Sequence, residues 1–238
     1  MSMIGVLGGM GPAATLDFLD KLVKLTPASR DQEHLPFIVA NLPHTHDRSS
    51  AILGVGRDPL PQLLAGIALL NQIAVQVIVI PCNSSHHWFD EMSRLSRAPL
   101  LHIAKTCLDA IPVSSETRVA VFATRGALMS GFYQRELVAH GLGFIPPDFE
   151  HTQPQVDLCI REVKAGHLEA AGQFMTQACR LATQQGANTL IMGCTELPLA
   201  SRYADTSGLV LIDSSLELAR ASVTFALERG WNRPGWDY

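Results

Sequence analysis

Several properties that mark other protein classes are scarce in this sequence of 238 residues. Charged residues make up only 17% of the chain, and Lys and Arg never cluster, which argues against nucleic acid or an acidic membrane surface as a partner. No apolar run approaches the roughly 20 residues that a membrane-spanning helix needs. The segment Met1–Gly5 leads directly into a predicted strand with no basic leader, so no signal peptide is visible. The five cysteines, an odd number, are therefore expected to be free thiols in a reducing compartment, and the expected location is cytoplasmic.

The residue types that are abundant indicate a compact α/β protein. Hydrophobic residues make up 47% of the chain, which is long enough for one large or two small domains. Short apolar runs bounded by turn residues alternate with amphipathic stretches, a pattern typical of parallel sheets covered by helices. The predicted strands cover residues 4–7, 37–40, 75–80, 100–103, 119–124, 143–145, 189–192 and 209–213. The predicted helices cover residues 12–26, 58–72, 84–97, 104–111, 128–139, 154–164, 167–185 and 215–228.

Landmarks in the first half recur in the second half at separations of 110 to 115 residues. The paired positions are Ile4 with Val119, Cys82 with Cys194, and Leu100 with Val210. This repetition predicts two pseudo-symmetric three-layer α/β lobes with parallel sheets, and an active site in the crevice between them. We expect residues 1–103 plus 214–238 to form the first lobe and residues 104–213 the second.

Two cysteine motifs lie at matching points of these halves. Pro81–His86 and Gly193–Glu196 each follow a compact apolar strand and each precede a stretch that can be helical. Ligands of open α/β sheets bind beyond the carboxyl ends of the strands, so Cys82 and Cys194 are expected to face one crevice. A thiol that opens a helix also lies near its positive end, which favours the thiolate.

A glycine turn after the first strand gives a weaker signal. Gly9-x-Gly11-x-x-Ala14 fits the loose dinucleotide-binding fingerprint, but the second predicted strand ends without the acidic residue that would hold the ribose. We therefore do not expect a nicotinamide cofactor. The turn still directs a helix amino terminus at the crevice, where a carboxylate could bind.

Two thiols on opposite sides of one carbon suit a reaction that works on both faces. In racemisation one thiolate removes the α-proton while the opposite thiol protonates the other face. The charge that develops on the substrate carboxylate needs aimed donors, and Asn83, Ser84, Ser85 and Thr195 are residues of the right type.

These residues resemble the cofactor-independent aspartate/glutamate racemases over nearly the whole chain. The matching motifs are Gly8–Pro12 with Thr15, Asp47-Arg48, Pro81–Asn83 with His86, Val163-Lys164-x-Gly166 and Gly193–Leu197. The resemblance implies two Rossmann-like lobes, a homodimer, and racemisation without pyridoxal phosphate or another cofactor. It also implies that Arg48 and Lys164 hold the side-chain carboxylate of a small acidic amino acid, which agrees with the preference of Arg for carboxylates. Met10 and Thr124 are likewise assigned to substrate binding.

The sequence departs from the family pattern at two places. Ser84-Ser85 stand where the family usually has a threonine, and a serine hydroxyl can replace that donor. Ala127 stands where a second threonine is expected after Thr124, which removes one contact to the substrate. The substrate is therefore less well defined by the sequence than the type of reaction.

Each assigned residue also has a structural interpretation. Arg48 could be an exposed helix-cap residue and Lys164 a cation favoured by a helix dipole. His86 could orient the turn at Cys82, start a helix, or form half of a zinc site with Cys82; no metal is expected, because no further ligands follow at the right spacing. The remaining two supporting residues, Asp47 and Glu196, could position Arg48 and Cys194 or only favour helix starts, and Cys107, Cys159 and Cys179 are expected to be buried apolar residues.

The sequence thus predicts a racemase of aspartate or glutamate with Cys82 and Cys194 as its two bases. One alternative is a relative that uses a single cysteine for isomerisation, decarboxylation or hydantoin racemisation. The other is a non-catalytic binder of acidic amino acids or a thiol redox sensor.

Overall fold

The computed structural model describes residues 2–112 and 114–232, which form two parallel β-sheets with helices on both faces. The strands are β1 Ile4–Gly8, β2 Phe37–Asn41, β3 Val77–Val79, β4 Arg118–Phe122, β5 Gly143–Phe144, β6 Thr189–Met192 and β7 Val210–Asp213. The α-helices are α1 Pro12–Leu25, α2 Arg48–Ile52, α3 Leu60–Ile73, α4 Phe89–Leu95, α5 Ile103–Leu108, α6 Arg125–Ser130, α7 Phe132–Ala139, α8 Thr152–Ala165, α9 Leu168–Gln184, α10 Leu197–Ser201 and α11 Ser214–Leu227. Two 3-10 helices span Asp31–Glu33 and Asn83–Trp88. None of these helices is long and apolar enough to cross a bilayer.

The two sheets share one strand order. The first sheet runs β2-β1-β3 and the second runs β5-β4-β6-β7, with every pairing parallel. Leu100 adds a single bridge to Ile78 beyond β3, at the place that β7 takes in the second sheet. The two lobes therefore repeat one topology, which confirms the predicted fold class.

Each sheet lies between two apolar clusters because successive strand side chains point to opposite faces. In the first sheet Ile4, Val6 and Val77 pack toward α1 and α11, while Leu7 and Ile78 pack toward α3 and α4. In the second sheet one face packs against α8, α9 and α10, and the other against α5, α6 and α7. This arrangement gives the three layers expected of each lobe.

The chain crosses between the two cores within α5 and again at α11. Ile103 packs in the core of the first sheet, and Ala104 and Cys107 pack in the core of the second. Helix α11 returns to the first core through Leu218 and Val223. The division into 1–103 plus 214–238 and 104–213 stays our proposal, and its residues 233–238 lie outside the described part of the chain.

Three predicted elements differ from the structure. The strand predicted at 100–103 is a single bridge, because the His102 side chain accepts the Ala104 N–H and starts α5 there. The helix predicted at 84–97 begins as a 3-10 helix and is α-helical only in α4. The helix predicted at 128–139 is divided at Gly131, whose left-handed conformation (φ 73°) ends α6.

A buried ion cluster joins α1 to the second sheet. Lys21 on α1 contacts the carboxylate of Asp17 one turn earlier, and its Nζ lies 2.6 Å from Oδ2 of Asp213 at the end of β7. Arg202 also reaches Asp17, at 3.1 Å. The Lys21 side chain is only 11% exposed, so its charge is compensated by these carboxylates rather than by water.

Replacing Lys21 by Met should lower the free energy of unfolding by about 3–5 kcal/mol, because it leaves two carboxylates without their buried cation. Urea unfolding followed by circular dichroism measures this loss. Lys24→Met on the same helix is the matched control, since Lys24 pairs with Asp20 in an exposed bridge whose loss costs about 0–1 kcal/mol. Equal losses in the two variants would contradict the assigned role of the cluster.

Candidate active site

Residues of the predicted site gather where the parallel strands of both sheets end. Met10 follows β1, Arg48 follows β2 and Cys82 follows β3 in the first lobe. Thr124 follows β4 and Cys194 follows β6 in the second lobe. Because the carboxyl ends of parallel strands meet at one edge of a sheet, both edges open toward the same crevice.

The crevice contains a narrow inner cavity. It is lined by Met10, Asp47, Arg48, Ser49, Cys82, Asn83, Ser84, Thr124, Lys164, Cys194, Thr195 and Glu196. Eleven of the thirteen predicted site residues are in this set, and Cys82 and Cys194 share the cavity as expected. Ser85 and His86 lie outside it, and Ser49 is a lining residue that the sequence did not suggest.

A larger outer cavity opens beside the inner one. Its walls are formed mainly by the small residues of the glycine turn, by the first turn of α1, and by Pro43 and Val163. Asp47, Arg48, Lys164 and Glu196 line both cavities, so these four charged residues form the boundary between them.

The glycine turn after β1 has a shape that other residues cannot adopt easily. Gly9 has φ 92°, and a Cβ there would lie 2.4 Å from the backbone nitrogen of Leu42. The Thr15 hydroxyl accepts the Gly9 N–H and donates to the Gly11 carbonyl, each at 2.9 Å. The turn thereby brings Met10 to the inner cavity and opens the start of α1 toward the outer one.

Asn83 joins the two lobes through its side chain. Its Nδ2 donates to the Ser214 hydroxyl at 3.0 Å, and its Oδ1 accepts the Tyr133 hydroxyl. Ser214 in turn donates to the Met192 carbonyl at 2.7 Å, directly before the Cys194 turn. All of these groups are buried, so the Asn83 side chain is engaged in holding the lobes together.

Among the described residues, three further hydrogen bonds cross the crevice. The Thr195 hydroxyl donates to the Pro81 carbonyl at 3.3 Å. The Ser84 and Thr124 hydroxyls are 2.9 Å apart, and this bond uses only one of their two hydrogens, which leaves the other to donate to a ligand. The third crossing bond runs from the Gly126 N–H to the Ser49 hydroxyl at 3.0 Å.

Cys194 lies next to an acid. Its Sγ donates to Oε2 of Glu196 at 2.9 Å, and both side chains are buried. Burial first, and then the charge and hydrogen bond of Glu196, raise the pKa of Cys194 well above its usual range, against the opposing effect of Lys164. The expectation that the helix start favours a thiolate is therefore wrong for Cys194, because burial and Glu196 outweigh the dipole of the short helix α10.

Cys82 instead lies beside a cation, the guanidinium of Arg48. Asp47 accepts the Ser50 N–H at 2.7 Å and so caps α2, whose first residue is Arg48. Burial lowers the pKa of Arg48, but its interactions with Cys82, Asp47 and Glu196 outweigh burial and hold this pKa above its usual value. The two cysteines thus have opposite electrostatic surroundings.

Arg48 is held by backbone carbonyls and keeps hydrogen-bonding capacity. Nη1 donates to Thr45 and His46, and Nη2 donates to Met10. Nε is buried without a hydrogen-bond partner among the described residues. Nε–H and one Nη2–H therefore remain for a ligand.

Lys164 provides a second cation at the cavity boundary. It lies in the last turn of α8, which ends at Gly166 in the left-handed conformation (φ 84°). Burial lowers the pKa of Lys164, but the nearby charges of Glu196, Cys194 and Asp47 raise it overall. Within residues 2–112 and 114–232, neither Lys164 nor Arg48 has a carboxylate within ion-pair distance.

Ser85 and His86 lie outside the inner cavity and make hydrogen bonds that hold the residues around it. The Ser85 hydroxyl donates to the Met10 sulfur at 3.4 Å. His86 Nε2 accepts the Ile103 N–H, so Nδ1 carries the hydrogen and donates to the Cys82 carbonyl at 3.0 Å. Both ring nitrogens are thus engaged, which favours the orienting role over half of a zinc site.

Three residues that the sequence did not indicate help to hold the site together. Tyr133, Ser214 and Ser49 hold the two lobes together around the inner cavity. Each acts on a residue far away along the chain, so no local motif indicates it. Their common feature in the sequence is only a hydroxyl in a predicted helix or loop.

The fold and site together define a two-lobed α/β enzyme with paired cysteines in the cleft. Residues 7–221 match the family model described as Asp/Glu/Hydantoin racemase. A broad specificity amino-acid racemase, RacX, from Bacillus subtilis (strain 168) is 30% identical over 93% of this chain and 97% of its own. The aspartate racemase of Picrophilus torridus superposes with a TM-score of 0.83 at 26% identity, covering 98% of this chain and 100% of that one. Glutamate racemase isoform RacE1 from Bacillus anthracis shares the fold, with a TM-score of 0.71 at 20% identity over 97% and 83% of the two chains.

The chain belongs to the Asp/Glu/Hydantoin racemase family. The resemblance stated from the motifs is confirmed, and so is the prediction of an isomerase of the amino-acid racemase type.

His86 makes the stability of the Cys82 turn depend on pH. Burial lowers the pKa of His86 to about 4, and burial also lowers the pKa of His102 to about 3. The unfolded chain, with histidine pKa about 6.5, binds these protons first, so stability is complete above about pH 6.5 and is lost as the pH falls toward the folded values. Each histidine then costs about 1.4 kcal/mol of unfolding free energy per pH unit.

Urea unfolding between about pH 6.5 and 5 should therefore show a shallower loss of stability in His86→Gln than in the unsubstituted chain. The matched control is His87→Gln, since His87 is exposed and should leave the slope unchanged. Parallel slopes for all three proteins would contradict a buried neutral His86.

Proposed function

We propose that this protein racemises aspartate by transferring protons between the α-carbon and a pair of thiols, Cys82 and Cys194. The observation that carries the proposal is their placement after corresponding strands of two repeated lobes, where both line one inner cavity. A reaction on both faces of one carbon needs a base and an acid on opposite sides, and two lobes related by a pseudo-twofold can supply them.

The surroundings of the cysteines suit the start of the reaction. We assign removal of the α-proton to Cys82, which lies beside Arg48, and protonation of the opposite face to Cys194, whose thiol donates to Glu196. The C–H bond electrons pass into the α-carboxylate, where the remaining hydrogen of the Ser84–Thr124 pair can donate to the developing charge. The reverse direction begins with the protonation states exchanged.

The cations at the cavity boundary favour a dicarboxylic amino acid. Arg48 has an Nε–H and one Nη2–H left for a carboxylate, and Lys164 adds a second positive charge. A small substrate with two carboxylates would thus meet two cations at the boundary of the inner cavity. Glutamate is the second candidate because it carries the same groups on one more methylene.

Several further predictions made from the sequence belong to this proposal. The roles of Met10, Asp47, Asn83 and Thr195 in the site, a homodimer, a cytoplasmic location and catalysis without a cofactor stay predictions. The breadth named for the Bacillus subtilis relative favours including further amino acids in any substrate test.

Cys82→Ser and Cys194→Ser should each reduce racemisation of L- and D-aspartate by about 10²–10⁴-fold, because serine is far less acidic than a thiol and cannot serve as the proton donor or acceptor. Chiral chromatography of the reaction measures the inversion. In deuterated buffer each variant should still exchange the α-proton of one enantiomer only, and the two variants should differ in which enantiomer that is.

Cys159→Ala is the matched control, since Cys159 is buried between α8 and α9 and lies outside both cavities. It should lose stability and keep its turnover. Substantial inversion by either serine variant would overturn the two-thiol mechanism and support a relative that uses a single cysteine. Binding of aspartate by the unsubstituted protein without proton exchange would support the non-catalytic binder instead.

A further inference from the structure

The two-thiol reaction uses only one of the two oxygens of the Glu196 carboxylate, Oε2. Oε2 accepts the Cys194 thiol at 2.9 Å, on the side of the inner cavity. Oε1 points toward the glycine turn, where a Cβ added to Gly11 would lie only 3.3 Å from it. Gly11 lines the outer cavity, and Glu196 lines both cavities while its side chain is buried. One carboxylate thus connects a buried thiol with a large opening to solvent.

A two-base racemase needs such a connection between turnovers. This step depends on the proposed function: after one conversion Cys82 holds the proton and Cys194 is the thiolate. The enzyme must return to its first form before it can take another substrate of the same hand. Cys194 must regain a proton and Cys82 must release one, while no substrate is bound.

We propose that Glu196 is a positioning and proton-relay residue that returns the proton to Cys194 from water in the outer cavity. The Glu196 carboxyl, protonated at the outer cavity, gives its proton to the Cys194 thiolate across the Sγ–Oε2 contact. The S–H bond forms as the O–H bond breaks, and the carboxylate then takes a new proton from water. Cys82 releases its proton to water that enters the emptied inner cavity, so charge and protons balance.

Two of the three other charged residues at the boundary are less suited to this role. Arg48 stays protonated at any working pH and cannot release a proton. The Asp47 carboxylate accepts the Ser50 N–H and caps α2. The thiol of Cys194 donates to Glu196, so among the described acids this carboxylate has a direct proton path to a cavity cysteine.

The test is Glu196→Gln, which keeps the size of the side chain and its acceptor oxygen but cannot carry the proton. We expect kcat for net conversion of L- or D-aspartate to fall by about tenfold or more, with kcat/KM changed by no more than about twofold, because the return step follows product release. Adding small carboxylic acids such as formate should restore kcat in proportion to their concentration. Transfer of ¹³C label between the enantiomers of an already racemic mixture needs no return step and should continue.

Two further variants separate a relay from a structural role. Glu196→Asp has a shorter carboxylate, so its kcat should lie between those of Glu196→Gln and the unsubstituted protein. Added formate should raise this kcat as well. Asp47→Asn removes a negative charge from the same boundary without touching a thiol, so its kcat should not respond to formate. The unsubstituted protein should not respond either.

Equal losses of kcat and kcat/KM without rescue would overturn the relay and leave Glu196 as a residue that only orients Cys194. Unchanged kcat in Glu196→Gln would overturn it as well, because Cys194 would then exchange protons with water directly. If the unsubstituted protein does not racemise aspartate or glutamate at all, the proposed function fails, and the relay fails with it. These results differ, so the two proposals can be judged separately.

Discussion

The site depends on a seam of buried hydrogen bonds that holds the two cysteine turns against each other. Asn83 follows Cys82 and binds Ser214, which binds the carbonyl of Met192 ahead of Cys194. Thr195 follows Cys194 and binds the carbonyl of Pro81 ahead of Cys82. These bonds fix the Cys82 turn and the Cys194 turn relative to each other. Leaving one of the buried polar groups without its partner would lower the free energy of unfolding by about 1–3 kcal/mol. These hydrogen bonds keep the carboxyl ends of the strands of both lobes at the same inner cavity.

Within this symmetric frame the charges are arranged asymmetrically. The repeated topology gives each lobe a cysteine at an equivalent position, but one thiol adjoins the guanidinium of Arg48 and the other donates to Glu196. The two thiols therefore differ in their charged neighbours rather than in their position in the fold. Lys164 reaches the same boundary from α8, so an anionic substrate would meet positive charge from both lobes.

Local patterns were sufficient to predict the strands, the repeat and the cysteine motifs, because a buried parallel strand and its following turn are encoded by neighbouring residues. The resemblance also indicated Arg48 and Lys164, which both line the inner cavity, and their role in substrate binding stays a prediction. The strand predicted at 100–103 was wrong because the capping of α5 by His102 competed with the apolar run.

Contacts between distant segments could not be predicted. The partners of Asn83, the ion cluster of Lys21 with Asp213, and the crossing of Ser49 to Gly126 all join residues far apart in the chain. The state of Cys194 also depends on such contacts and on burial, which the sequence around it does not express.

The most direct test of the central claim is proton NMR of the unsubstituted protein with L-aspartate and with D-aspartate in deuterated buffer without added cofactor, followed in parallel by optical rotation. The two-thiol account predicts that both enantiomers lose the α-proton signal and that the rotation of each solution falls to zero. Loss of the α-proton signal with the optical rotation preserved would mean that the protein exchanges the proton on only one face of the α-carbon. An α-proton that persists in both enantiomers while aspartate binds would contradict racemisation of this substrate.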